Sequence, residues 1–157
     1  MLLPTKLKER VKVDIKLKLL IGGFAAFVLL QFVPYGKNHE NPPVRNEPKW
    51  NSMATRDLVK RACFDCHSNE TVWPFYSQIA PSSWLVYRDV VEARSEMNFS
   101  DWQNGKRDTE NSGIIEAVVT NNKMPPFQYR IAHPEARLKP DEQKKLIEGI
   151  KLTLDSK

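Results

Sequence analysis

Both cysteines of the chain fall in one pentapeptide, Cys63-Phe64-Asp65-Cys66-His67. C-x-x-C-H is the attachment signature of a c-type haem. Two thiols add across the two vinyl groups of one porphyrin, and a two-residue gap on a turn sets the sulfurs apart by the distance this needs. The adjacent imidazole then lies under the iron as proximal ligand. Other chemistries fit the pentapeptide less well. A Cys63–Cys66 disulfide would close a tiny loop and stabilise little. A thioredoxin-like pair needs a βαβ context, which is absent, and Asp65 between the thiols discourages the thiolate. A zinc site needs four ligands, and His67 is badly placed to be one of them.

An electron-transfer haem takes a second axial ligand, and a Met thioether raises its potential. Met1 lies in the basic tail. Met53 is ten residues before Cys63 on one predicted helix, about 15 Å along its axis. Met97 ends a predicted helix. Met124 precedes Pro125-Pro126, and a residue before proline is pushed out of helical geometry. It therefore sits on a stiff loop after the third predicted helix, where a sulfur can be held in a fixed direction. Met124 is the expected distal ligand and His133, in His133-Pro134, its rival. Aromatic side chains flank the motif: Trp73, Phe75, Tyr76, Trp84, Phe127 and Tyr129. Arg61, Arg137, Trp84 and Tyr129 are candidate donors to the propionates.

The chain that positions these groups has 157 residues, 41% of them hydrophobic and 27% charged. That is enough for one modest core and excludes both a disordered chain and a polytopic membrane protein. The net charge of +5 is local: residues 1–18 carry six basic and two acidic side chains, so the remainder sums to only +1. No basic and aromatic stripe suggests nucleic-acid binding.

Leu19–Val33 is an apolar stretch interrupted only by Gln31. It is short against the roughly 20 residues of a membrane span, but Lys16, Lys18 and Tyr35 suit the interface on either side. No small-residue cleavage site follows it, which favours an uncleaved anchor over a removed signal peptide. The basic tail, 1–18, then stays in the cytoplasm and the chain after residue 36 lies outside, in the periplasm of a bacterial inner membrane. Residues 37–50 contain three prolines and read as an extended linker, with His39 solvated.

Residues 51–157 read as one all-α domain. Four helices are expected: Met53–Ala62, from Pro81-Ser82-Ser83 to about Met97, from about Glu110 to Asn121, and from Pro140 onward. The expected core faces are Ala54, Leu58 and Ala62 on the first and Leu85, Val86, Val90 and Ala93 on the second. Ile114, Ile115, Val118 and Val119 form the third, and Leu146, Ile147, Ile150 and Leu154 the fourth.

Several segments in order resemble the bacterial haem-binding domain family of small membrane-anchored c-type cytochromes. They are Cys63 to Thr71, Trp73-Pro74, Ile79-Ala80-Pro81, Asn98 to Trp102, Met124-Pro125-Pro126-Phe127 and His133 to Leu138. The resemblance covers about residues 50–155. It implies a cytochrome-c-like helical domain wrapped around one covalent haem c, with Cys63 and Cys66 as thioether positions, His67 proximal and Met124 distal. The resulting expectation is an electron carrier rather than an enzyme. It would be membrane-anchored, serve extracytoplasmic redox proteins, and have no small-molecule substrate. A five-coordinate haem that binds a small ligand is the first alternative, and a haem-free thiol oxidoreductase the second.

Overall fold

The computed structural model describes residues 5–104 and 112–155. Among the described residues seven α-helices follow one another: α1 (Thr5–Leu30), α2 (Met53–Ala62), α3 (Phe64–His67), α4 (Ser82–Glu96), α5 (Ser112–Thr120), α6 (Phe127–Ala132) and α7 (Pro140–Asp155). Short 3-10 turns cover Phe75–Gln78 and Pro134–Ala136. Among the described residues there is no strand, only one isolated parallel bridge between Asn46 and Asp101. The all-α expectation holds. The expected start of the third helix, 110–111, lies outside the described residues.

α2 begins where Ser52 Oγ accepts the Thr55 N–H at 3.1 Å, an N-cap that satisfies one orphan donor. Its buried face is Thr55, Val59 and Ala62 rather than Ala54, Leu58 and Ala62. The cause is α7, which crosses with Gly149 against Thr55. A Cβ on Gly149 would stand 2.1 Å from Thr55 Oγ1, so only glycine permits this approach. α5 and α7 close the other side with Ile115, Val119, Leu146 and Ile150. At the centre, Phe99 is 1% exposed. Its ring lies 5.4 Å from Trp50, 5.7 Å from Phe64 and 5.8 Å from Trp102, within the range of favourable aromatic contact.

The N-terminal third differs from expectation in two respects. First, among the described residues no helix is long and apolar enough to cross a membrane. α1 stops at Leu30, so Phe32 and Val33 fall outside it, and Asp14, Lys16 and Lys18 occupy the stretch that would have to complete a span. Second, residues 37–50 are not a free spacer. His39 stacks on Trp73 at 4.4 Å, donates from Nε2 to the Ser77 carbonyl at 3.1 Å, and accepts from Gln78 Nε2 at 2.7 Å. Glu47 takes a bidentate pair from Arg56 at 2.6 and 2.7 Å. That pair holds its carboxyl below the usual range against the opposing effect of burial. The segment is a strap on the domain.

The strap starts from a clamp. Gln31 donates to the Ala80 carbonyl at 3.1 Å and accepts the Ala80 N–H at 2.9 Å. Gly36, at φ +75°, passes so close to the Ser83 carbonyl that a Cβ would meet it at 2.5 Å. Midway, Arg94 gathers the Ser68 carbonyl, the Glu40 carbonyl, Asn41 Oδ1 and Thr71 Oγ1 at 2.8 to 3.2 Å. Hydrogen bonds to a charged group contribute more than neutral ones. Arg94→Ala should therefore cost about 2 kcal/mol in urea unfolding. Proteolysis should then cut the strap between residues 37 and 47. An uncut strap in that variant would show that Arg94 does not hold it.

Candidate functional site

Cys63 caps α2 and opens α3, so the pentapeptide folds as one tight helical turn: the His67 N–H reaches the Cys63 carbonyl at 2.8 Å. Residues 68–69 and 98–100 fix this turn to the core. The Phe99 N–H binds the His67 carbonyl at 2.8 Å. Ser68 Oγ donates to the Phe64 carbonyl at 2.8 Å, the Asn69 N–H donates to Ser100 Oγ at 3.0 Å, and Asn98 Nδ2 donates to Asn69 Oδ1 at 2.8 Å. Ser68, Asn69, Asn98 and Ser100 are all buried. Asn69, Asn98 and Ser100 satisfy one another, and Ser68 is satisfied by the Phe64 carbonyl and the Glu70 N–H, as buried polar groups must be.

The turn forms one wall of a cavity of about 450 Å³. Cys63, Cys66 and His67 line it on that side, and Met124, Pro125 and Tyr129 on another. Phe99, Ile114, Ile115, Val118, Val119, Leu146 and Ile150 make it strongly apolar. The structure thus brings the four residues expected to hold a cofactor to one space. Met97 also reaches the cavity, but from the His67 side, within the hydrophobic core. Met53 is exposed on α2 and does not line it.

The His67 ring is held in one orientation. Nδ1 lies 3.1 Å from both the Ala93 and Met97 carbonyls. Carbonyls only accept, so Nδ1 carries the proton and Nε2 keeps its lone pair. A backbone carbonyl on the far nitrogen is how proteins orient a ligating imidazole. Burial, outweighing those two carbonyls, lowers the His67 pKa and keeps the ring neutral. His133 is arranged otherwise. Tyr76 donates to its Nε2 at 2.9 Å, its Nδ1 donates to Glu135 at 3.0 Å, and it does not line the cavity. Both of its nitrogens are committed to holding a loop.

The thiols are free and half-buried. Burial pushes the Cys63 thiol up to about 12, with Cys66 adding to it. Burial likewise pushes Cys66 up to about 12, reinforced by Asp65 and Asp89. Such thiols are poor thiolate nucleophiles, which argues against dithiol exchange as their use.

Of the proposed propionate donors, only Tyr129 lines the cavity. Its hydroxyl is already given to Asp65 Oδ2 at 2.6 Å, and burial together with that bond raises its pKa well above the ordinary value. Arg61 pairs with Glu142 at 2.7 Å and Arg137 Nε donates to the Arg130 carbonyl at 2.7 Å, both away from the cavity. Among the flanking aromatics, Phe75 and Phe127 are largely exposed, and neither they nor Trp73 and Trp84 line it. Sequence reasoning overlooked Phe99 as a cavity residue. Its place in the Asn98-Phe99-Ser100 segment was the available signal.

The residues fit a haem on their chemistry. They offer an apolar space, two thiols, an imidazole with its Nδ1 committed, and a thioether on another wall. Fold and cavity together define a helical domain with an apolar cavity lined by two thiols, an imidazole and a thioether. The chain belongs to the haem-binding domain family, whose model matches residues 25–152. No curated protein and no solved structure matches the chain.

Proposed function

We propose that the domain carries a single covalent haem c and transfers one electron at a time between extracytoplasmic redox proteins. Cys63 and Cys66 hold the porphyrin through thioethers. His67 Nε2 and Met124 Sδ would hold the iron, which would supply a one-electron couple between Fe(III) and Fe(II). The observation that carries this reading is the apolar cavity onto which all four side chains open. The chain's own work is to hold the imidazole in one tautomer through Ala93 and Met97. It also lines the cavity with the buried side chains of Phe99 and Leu146, which exclude water, and it presents the sulfur from a proline-stiffened loop. The segment Leu19–Val33 holds the protein at a membrane, with Leu19, Leu20, Phe24, Leu29 and Phe32 all exposed for lipid contact. The basic residues of the first 18 positions lie on the cytoplasmic side.

Met124 is 40% exposed, which favours a second reading: a sixth ligand loose enough for a small molecule to displace. One measurement separates the two. Methionine-ligated ferric haem shows a near-infrared sulfur-to-iron band. The haem-loaded full chain should show it, and Met124→Ala should lose it completely. A high-spin spectrum in the unaltered protein would favour the open-iron reading.

A further inference from the structure

α6 is a helix of six residues that buries none of them. It follows directly on Met124-Pro125-Pro126, so its position sets the direction in which the Met124 loop leaves the domain. Beyond the half-buried Tyr129 ring on the cavity wall, packing does little to fix it. Hydrogen bonds and one ring stack hold it. Tyr129, in its centre, donates to Asp65 Oδ2 at 2.6 Å. Its ring lies 4.3 Å from His133, nearly parallel, and His133 is in turn held by Tyr76 and Glu135. At the chain-reversing end, Arg130 reaches the Asn122 carbonyl at 3.2 Å.

Asp65 stands between the two cysteines. Its carboxylate is already aimed: Oδ1 accepts the Val72 N–H at 3.0 Å, and its carbonyl accepts Thr71 Oγ1 at 2.8 Å. The Tyr129–Asp65 bond therefore joins a rigid point on the cysteine wall to the element behind the methionine loop. In chain terms it links positions 64 residues apart.

We propose that this bond is a latch that sets Met124 at the distal position, with Tyr129 a positioning residue rather than a ligand. The inference rests on Met124 being the sixth ligand. A latch of one hydrogen bond biases the loop between a closed state, with sulfur on the iron, and an open one. Losing it should raise the open fraction about tenfold.

The test uses the full-length, haem-loaded chain in five forms: unaltered, Met124→Ala, Tyr129→Phe, Asp65→Ala and Asp65→Asn. The readouts are the near-infrared sulfur band, the rate of carbon monoxide binding to the reduced protein, and the melting temperature. Tyr129→Phe keeps the ring on His133 and removes only the hydroxyl. It should weaken the band and speed carbon monoxide binding about tenfold, an effect the size of one hydrogen bond. Asp65→Ala should match it, whereas Asp65→Asn, whose amide oxygen still accepts from Tyr129, should retain most of the band. If Tyr129→Phe lowers only the melting temperature and leaves the band intact while Met124→Ala loses it, Met124 is the ligand and the latch is wrong. If Met124→Ala keeps the band, the ligand assignment and the latch fall together. If Asp65→Asn behaves like Asp65→Ala, charge rather than the hydrogen bond acts, and the latch is again overturned. Should Tyr129→Phe not fold, the two Asp65 variants decide the matter.

Discussion

The Cys63→Ser/Cys66→Ser chain should release all of its haem on denaturation, where the unaltered chain should keep one haem in its intact mass. Serine hydroxyls do not add to vinyl groups, so retention would rest on His67, Met124 and apolar contact alone. The stability consequence is also large. A closed void costs roughly 24 cal/mol per Å³. For a cavity of 450 Å³ this sets an upper bound on the order of 10 kcal/mol. The cavity has a mouth, so about a third of that, ~3 kcal/mol, is a fairer figure. In a domain of this size each kcal/mol moves the melting temperature by about 4–8 °C. Once haem is lost, the double variant should melt roughly 10–20 °C lower. Mass spectrometry and calorimetry check the two parts separately. A denatured double variant that still carries the added haem mass would refute attachment through these sulfurs.

Phe99→Ala is expected to be the most damaging single substitution in the core, at about 3–5 kcal/mol. Phe99 is 1% exposed, has three aromatic neighbours, and belongs both to the core and to the cavity lining. Its backbone N–H also fixes His67 through the 2.8 Å bond to that carbonyl. Truncation would thus leave a hole beside the proximal ligand. Total domain stability is about 5–15 kcal/mol, so the loss is a large share of it. Urea unfolding gives the value, with Phe75→Ala as the control. Phe75 is 81% exposed and should shift stability by less than about 0.5 kcal/mol. A Phe99→Ala midpoint close to the control's would show that the aromatic centre does not organise the domain.

Features with a periodic or covalent signature were legible before the structure. α2 spans Met53–Ala62 as its cap and spacing indicate, and α7 starts at Pro140, where proline suits the first turn. The pentapeptide stands out as a candidate site because thiol and imidazole spacing is a chemical constraint. α6 could not be read, because a helix that buries nothing has no apolar period. α3, only four residues long, is too short to show one. The register of α2 was off because Thr55, a polar residue, is drawn inside by Gly149 some ninety positions later in the chain. The strap is hard to see in sequence for a related reason: Asn41 and Glu47 are held by Arg94 and Arg56, and apolar burial comes only at its end, from Pro48 and Trp50. Proline-rich polar sequence with such partners is indistinguishable from a spacer in one dimension. The Tyr129–Asp65 pair likewise required the fold, since nothing in either residue's neighbourhood signals the other.

The Gln31 clamp and the strap after it bear on how the cavity meets a partner. A cargo on a loose cord explores a sphere, and its encounters are governed by cord length. Here Gln31 and Gly36 tie the C-terminal end of α1 to Ala80 and Ser83, at the start of the helix α4 that lines the cavity, so the mouth is oriented relative to that end. Under the proposed electron transfer, productive collisions would be selected by rotational aim rather than by reach.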